Sequence, residues 1–215
     1  LLNPFALLTG VVSLGMLAMH GGAYLQMRTA GALHDRARLM TSVLAILVLV
    51  CFALAGVWVS MMDGYVIESA TNLAGVTNPL EKTVVLESGA WLNNYSTYSW
   101  MIVAPVLGFA GLLLTILFTR ANKGALAFVS SSFALTGIIC TAGFSLFPFL
   151  MPSTTNPSHS LTMWDVTSSH LTMTIMFWVA MVFVPIILSY TAWGYYKMRG
   201  RLTTDFIEKN QYTTY

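Results

Sequence analysis

Along the 215 residues, five long stretches without a charged side chain alternate with segments that hold the charges. The uncharged stretches cover residues 4–27, 40–61, 100–119, 124–151 and 171–195. Each has at least the roughly 20 residues that an α-helix needs to cross a hydrocarbon core of about 30 Å. The alternating polar and apolar decads of a membrane β-barrel do not occur in the sequence, and a helix satisfies its own backbone in lipid. The pattern therefore predicts five transmembrane helices.

The composition agrees with this pattern. Hydrophobic residues make up 56% of the chain, charged residues 8%, and the mean hydropathy is +0.71. A water-soluble domain of this length does not stay in solution with so few charges, so we predict an all-α integral membrane protein. Cys51 and Cys140 each lie in an apolar stretch without a CxxC motif or a neighbouring histidine. This favours buried apolar residues over a metal site or a disulfide.

The cations predict how the helices are oriented. If the five helices alternate in direction, nine of the ten Lys and Arg residues fall on one side, and only Lys82 falls on the other, together with five of the eight acids. The positive side of a membrane protein is the cytoplasmic side. We therefore expect the first residue of the chain to be external, the loop 62–99 to be the main external segment, and residues 197–215 to form a cytoplasmic tail.

The first residues predict a helix that begins in mid-chain. Asn3 and Pro4 are suited to an N-cap and the first helical position, and no basic region or small-residue cleavage site of a signal peptide surrounds the first apolar stretch. We expect the chain to be part of a longer polypeptide that contains further helices upstream.

Small residues four positions apart predict close helix packing. They recur as Ala6 and Gly10, Ala18 and Gly22, and Ala104 and Gly108. Such pairs let helix backbones approach each other in lipid. Proline residues inside the third and fifth spans, Pro105 and Pro185, are tolerated in membrane helices and indicate no site by themselves.

His20 is the main candidate for a functional side chain, because it is an ionisable group well inside a predicted span. An intramembrane histidine suggests a haem ligand, a metal ligand or a proton relay, and Met16, Met19 and the pair Gly21-Gly22 are near it in the sequence. No other predicted span contains a second histidine, however, and one neutral imidazole is satisfied by a single hydroxyl or carbonyl. Packing and hydrogen bonding are therefore the favoured interpretation, with His20 kept as a weak cofactor-binding candidate.

The fourth span is rich in hydroxyl groups, which suggests either local hydrogen bonds or a polar pathway. The hydroxyl groups belong to Ser130, Ser131, Ser132, Thr136 and Thr141. Bonds to their own helix or to a neighbouring helix are the favoured interpretation. The predicted spans contain no carboxylate, which weakens a transporter hypothesis, because transporters usually place a charge there. The sequence shows no phosphate-binding loop, metal-ligand spacing or activated nucleophile, so we predict no catalytic residue and no metal site in this chain.

The stretch from Ser160 to Met173 combines hydroxyls, a tryptophan, an aspartate and a histidine before the fifth span. We interpret it as a helix start, in which Trp164 lies at the membrane interface and Asp165, Thr167 or Ser168 accepts from the first free amides of the fifth helix. A role of Asp165 in proton exit or partner docking stays open as a less favoured alternative. His159 and His170 are expected to be hydrated.

Several separated blocks of the sequence resemble subunit II of the cytochrome bd quinol oxidase family. In order, they are LLNPFALLTGVVSLGM, GGAYLQMRT, CFALAGVWV, DGYVIES, NPLEKTVV with GAWL, FPFLMPS, SLTMWDVTSSHLTM and VPIILSYTAWGYYKM. The resemblance implies two four-helix bundles and a peripheral helix in the whole subunit. The five spans would then be its second bundle and last helix, that is, the C-terminal half.

The resemblance also implies a function. Two b-type haems, one d-type haem and the quinol site would belong to subunit I. Subunit II would hold that haem subunit in the bacterial cytoplasmic membrane and shape the access of protons and oxygen. A lipid-embedded quinone occurs in some members, and a small single-span subunit is a further partner. No haem ligand of the family falls on a residue of this chain.

Two other hypotheses remain open at this point. One is a small transporter or channel that uses His20 and the hydroxyls of the fourth span. The other is an assembly protein without any pathway.

Overall fold

The computed structural model of the protein describes residues 3–69, 82–197, 200 and 203. In chain order, the elements are α1 Pro4–Arg28, α2 Gly31–Met61, β1 Asp63–Ile67, β2 Val84–Ser88, α3 Asn93–Thr97, α4 Val103–Arg120, α5 Gly124–Leu146, β3 Phe149–Met151, β4 Leu161–Thr162, α6 Met163–Val166 and α7 His170–Lys197. Five segments in the described part are long and apolar enough to cross a membrane: α1, α2, α4 with the 3₁₀ turn Ser99–Ile102 before it, α5 and α7. The predicted all-α integral membrane fold is confirmed.

Four of these helices form a bundle. Helix α1 packs against α2 and α5, and α4 packs against α5 and α2, so that the four surround one core. The core consists of Val12, Met16, Met19, Ala45, Val48, Cys51, Leu112, Ala134 and Ile138. Helix α7 is different, because none of the residues in its apolar window is buried. It touches the bundle near its last turn, where the Tyr195 ring meets the Tyr24 ring of α1 edge-on.

Glycine allows the close approaches within this bundle. A Cβ added to Gly22 would lie 2.5 Å from the Thr41 hydroxyl, and one added to Gly137 would lie 2.2 Å from the backbone nitrogen of Gly108. The sequence predicted such contacts for Gly22 and Gly108, and both are confirmed. Gly10 was also predicted to be packed, but a Cβ there would meet nothing within 4 Å.

Two helix boundaries differ from the prediction by five residues or more. Helix α2 begins at Gly31, nine residues before the predicted start, because His34, Ala37 and Thr41 already follow the spacing of its buried face. The charged residues between them lowered the hydropathy without breaking the helix. Helix α5 ends at Leu146, five residues early, because residues before a proline avoid the helical conformation and Pro148 follows closely.

A small folded unit lies at the end of the bundle where α2 and α5 terminate. We call this unit the cap and define it by residues 62–69, 82–102 and 147–169. Strands β1 and β2 pair antiparallel, with Asp63 opposite Ser88, and β3 pairs antiparallel with β4. The Tyr65 hydroxyl joins the two parts of the cap by donating to the Ser153 carbonyl at 3.0 Å. The sequence described this region only as loops.

Candidate functional site

His20 lies between α1 and α5 and is hydrogen-bonded there. Its Nδ1 is 2.8 Å from the Ser131 hydroxyl, and its ring stacks on the Phe128 ring, with the centroids 4.6 Å apart and an interplanar angle of 23°. The Ser131 hydroxyl donates its own proton to the Phe128 carbonyl at 2.7 Å. Ser131 is therefore an acceptor for Nδ1–H, which leaves Nε2 as the ring nitrogen with the lone pair.

The other residues suggested for a haem pocket lie in different surroundings. Met16 and Met19 are buried in the core of the bundle. Gly22 faces Thr41 on α2, whereas a Cβ on Gly21 would meet nothing within 4 Å. These residues, which are close in sequence, thus face the core, helix α2 and the outer surface of the bundle, respectively.

The hydroxyls of the fourth span bond to their own helix. Each donates to a backbone carbonyl three or four residues earlier in α5, and this holds for Ser130, Ser131, Ser132, Thr136 and Thr141. Ser130 also contacts the Thr115 hydroxyl of α4 at 3.1 Å. The favoured interpretation from the sequence describes these contacts, and they give the transporter hypothesis no support.

A partly buried polar cluster, which the sequence analysis missed, joins the two turns at the other end of the bundle. His34 Nδ1 is 2.9 Å from the Gln26 carbonyl, and its Nε2 is 2.8 Å from Asn122 Oδ1. Arg38 donates through Nε to the Thr119 carbonyl at 3.1 Å and through Nη2 to the Arg120 carbonyl at 2.6 Å. We call His34, Arg38, Gln26, Thr119 and Asn122 the turn clasp.

The turn clasp follows from general properties of helix ends. The last carbonyls of α4 lack partners within the helix, and a cation at a helix C-terminus is favourable. Asn122 sits in the turn between α4 and α5 with a φ of 57°, a conformation that asparagine tolerates better than most residues. The four-residue spacing of His34 and Arg38 was the signal in the sequence, but Arg38 had been counted only as a cytoplasmic charge.

Asp165 forms a buried ion pair within the cap. Its Oδ2 lies 2.7 Å from Lys82 Nζ, and the two side chains are only 3% and 1% exposed. The backbone N–H and the hydroxyl of Thr162 donate to the same oxygen at 2.8 and 2.7 Å. Burial by itself raises the pKa of Asp165, but the hydrogen bonds from Lys82 and Thr162 outweigh it and hold the pKa below its ordinary value.

The predicted N-cap residues of the fifth membrane helix are therefore wrong. Asp165 belongs to the short helix α6 and forms a capping box with Thr162. The Thr167 hydroxyl donates to the Met163 carbonyl, and the first amide of α7 to find a side-chain acceptor is Thr172 N–H, which donates to Ser169 at 3.4 Å. The accepting hydroxyl is that of Ser169, the residue directly before α7. A pair such as Lys82 and Asp165, 83 positions apart, leaves no local pattern in the sequence.

The remaining candidates do not form a metal site in the described part of the chain. There, no three residues of the types His, Cys, Asp and Glu come together. Both cysteines are free: Cys51 is buried in the core and Cys140 is half-buried. His159 is exposed, with its Nε2 3.4 Å from the Asn156 amide, and His170 is exposed at the first turn of α7.

The chain is similar to known proteins over its whole length. It is 55% identical over 216 residues to "Cytochrome bd-I ubiquinol oxidase subunit 2" of Escherichia coli strain K12 and 47% identical over 215 residues to "Probable cytochrome oxidase subunit 2" of Haemophilus influenzae. A more distant relative is "Cytochrome bd ubiquinol oxidase subunit 2" of Bacillus subtilis, 23% identical over 203 residues.

These alignments cover all of the chain in the first two cases and 94% of it in the third. The chain spans 57% of the length of the first two relatives and 52% of the third. A family model described as "Cytochrome bd terminal oxidase subunit II" matches residues 1–198. The chain therefore belongs to the cytochrome bd terminal oxidase subunit II family.

Proposed function

We propose that this chain is the larger part of a membrane subunit of a quinol:oxygen oxidoreductase, a respiratory terminal oxidase that acts only together with a haem-carrying subunit. The observation that supports this most strongly is the family match over residues 1–198. Two of the relatives are named ubiquinol oxidase subunits, so ubiquinol is the proposed substrate of the complex.

In this proposal, the chain supports the assembly and does no electron chemistry itself. The two b-type haems and the d-type haem are bound by the partner subunit, and a quinone, where one is present, lies at the lipid face. A small single-span subunit is a further proposed partner. The long apolar surface is consistent with a role in holding the complex together. Residues such as Leu14 and Tyr190 are 74% and 72% exposed, so lipid or protein must cover them.

The proposed location is the bacterial cytoplasmic membrane, with the first residues of this chain on the periplasmic side and residues 197–215 on the cytoplasmic side. The distribution of the cations supports this orientation. Five of them lie at or beside the two turns between paired helices: Arg28, Arg36, Arg38, Arg120 and Lys123. The cap is then periplasmic. We also propose that the chain forms one transmembrane domain.

Co-purification tests this function. The complete subunit that contains this chain is tagged and produced together with the haem-carrying subunit in a host without other terminal oxidases. We expect the tag to recover a complex with a Soret band that consumes oxygen when ubiquinol is added. The control is the haem-carrying subunit produced alone with the same tag. Recovery of the tagged subunit without any haem protein would refute the proposal.

A further inference from the structure

Two enclosed oxygen atoms of the turn clasp have no hydrogen-bond partner among the residues that the structure describes. They are Oε1 of Gln26 and Oγ1 of Thr119, and both residues are fully buried, with 0% exposure. A threonine inside a helix often donates to the carbonyl four residues earlier, as Thr115 does to Gly111 at 2.7 Å. Thr119 makes no such bond. Because an enclosed polar atom without a partner is unfavourable, both atoms indicate a ligand.

The two atoms lie on either side of one contact. Nε2 of Gln26 donates to the Thr119 carbonyl at 3.4 Å. Oε1 shares a carbon atom with this Nε2, and Oγ1 belongs to the same residue as this carbonyl. Gln26 is in the last turn of α1 and Thr119 is in the last turn of α4. Both unsatisfied atoms therefore lie at the junction between these two helix ends.

The charges at this junction exclude an ion as the ligand. Arg38 donates through Nε to the same Thr119 carbonyl at 3.1 Å, so its guanidinium group repels a metal cation. An anion would face Oε1 of Gln26, which can only accept hydrogen bonds. The ligand must therefore be neutral and must be able both to donate, to Oε1, and to accept, from the Thr119 hydroxyl.

Close packing next to Gln26 limits the size of this ligand. Gly124 begins α5 and lies against the end of α1. A Cβ added to Gly124 would be 3.0 Å from the Met27 Cα and 3.2 Å from the Gln26 carbonyl carbon. A junction packed in this way suits a ligand with a single heavy atom. Water meets this condition, and an enclosed water makes roughly two to four hydrogen bonds, so two protein partners are sufficient.

We propose that the turn clasp binds one ordered water molecule, which donates to Oε1 of Gln26 and accepts from the hydroxyl of Thr119. The water joins the end of α1 to the end of α4. The proposal goes beyond the proposed function and does not depend on it, because both residues belong to this chain.

Thr119→Val tests the water through its effect on stability. Valine keeps the shape of the side chain and the backbone carbonyl that Arg38 and Gln26 contact, but it removes the hydroxyl. In the complete subunit that contains this chain, purified with any partner that it binds, we expect the melting temperature to fall by about 2–4 °C, because the water loses a partner. A hydroxyl without any partner predicts the opposite, since its removal relieves an unsatisfied group.

Thr136→Val is the matched control. Thr136 is an exposed threonine of α5 whose hydroxyl donates to the Ser132 carbonyl at 3.0 Å, and its replacement should change the melting temperature little. A melting temperature of Thr119→Val that is equal to or above that of the wild type would overturn the proposal.

A second variant measures whether Gln26 and Thr119 share the same water. Gln26→Met removes the amide at a similar side-chain length. The double variant of Gln26→Met with Thr119→Val should lose less stability than the sum of the two single variants, because the first substitution already releases the water. Additive losses would show that the two residues do not share a ligand.

A cryo-electron microscopy map that resolves ordered waters tests the site directly. We expect a density peak within about 2.5–3.2 Å of both oxygen atoms, and no such peak in the Thr119→Val variant. A map without the peak, or with a peak that contacts only one of the two atoms, would refute the site. A melting temperature that depends on Na⁺ or K⁺ at constant ionic strength, and no longer does so in Thr119→Val, would identify a cation instead and would also refute it.

Discussion

The two ends of the bundle hold charged side chains in different ways. At the turn clasp, Arg38 is paired with the backbone carbonyls of Thr119 and Arg120, which come from a helix end. In the cap, Lys82 and Asp165 neutralise each other across two segments far apart in sequence. Loss of Arg38 leaves only neutral carbonyl groups without their donor. Removal of either member of the ion pair leaves a buried charge without its partner. The cap is therefore the end that is more sensitive to a single substitution.

Loss of Lys82 should have the largest effect. Lys82→Met leaves the Asp165 carboxylate buried without its cation, which we expect to destabilise the folded chain by about 3–5 kcal/mol. The thermal stability of the purified oxidase measures this loss. Lys123→Met, at an exposed turn position, is the control and should be near neutral. The double variant Lys82→Met with Asp165→Leu should recover much of the stability, and a double variant no better than Lys82→Met would contradict the ion-pair interpretation.

Loss of Arg38 should be the next largest effect. Arg38→Met removes two charge-assisted hydrogen bonds to the end of α4, and we expect a loss of about 1.5–3 kcal/mol. Arg36→Met is the matched control, because Arg36 is exposed and is two residues away on the same helix. Equal stability of the two variants in a thermal unfolding experiment would show that the turn clasp does not hold the turns together.

Asn122 should have a smaller effect that can be divided into two parts. Asn122→Ala removes the contact with His34 and places an alanine at a positive φ, and we expect a loss of about 1–2 kcal/mol. Asn122→Gly removes the same contact but relieves the backbone. Thermal unfolding of the glycine variant should give a stability between that of the wild type and the alanine variant. A glycine variant less stable than the alanine variant would be evidence against strain at this turn.

Acid should weaken the cap through protonation of Asp165. The folded-state pKa of Asp165 lies below its ordinary value, so its charge contributes stability above the unfolded-state pKa of about 3.9. That contribution is lost as the pH falls through the lower folded-state pKa. Thermal unfolding between pH 3 and 7, compared with the same scan of the Lys82→Met, Asp165→Leu double variant, should isolate this loss. Identical pH dependence in the two proteins would exclude Asp165 as its source.

The helices could be predicted from the sequence because lipid imposes one strong rule on every backbone group. Five uncharged stretches are sufficient to find them, and spacing also identified Gly22 and Gly108 as close contacts. The start of α2 was missed because hydropathy does not register that Ala37 and Thr41 face inward while the charges beside them face outward.

The cap and the turn clasp could not be predicted in this way. Strands β1 and β2 have five residues each and depend on each other for pairing. Lys82 and Asp165, like Arg38 and Thr119, meet only after distant segments have folded together. Of the candidate site, the local part was predicted correctly, since His20 was expected to bond to a hydroxyl or carbonyl. Which of its nitrogens remains available depends on the proton of Ser131, and no sequence pattern encodes that proton.

The ion pair of the cap has a consequence for α7. Asp165 stands five residues before His170, where a helix with an entirely unburied apolar window begins. Because α7 has few contacts with the bundle, the ion pair of Asp165 holds the chain in place shortly before the last transmembrane helix begins. During synthesis, the segment that contains Lys82 leaves the ribosome long before its partner does. The ion pair that fixes the chain before the final helix can thus form only after both of these segments have been synthesised.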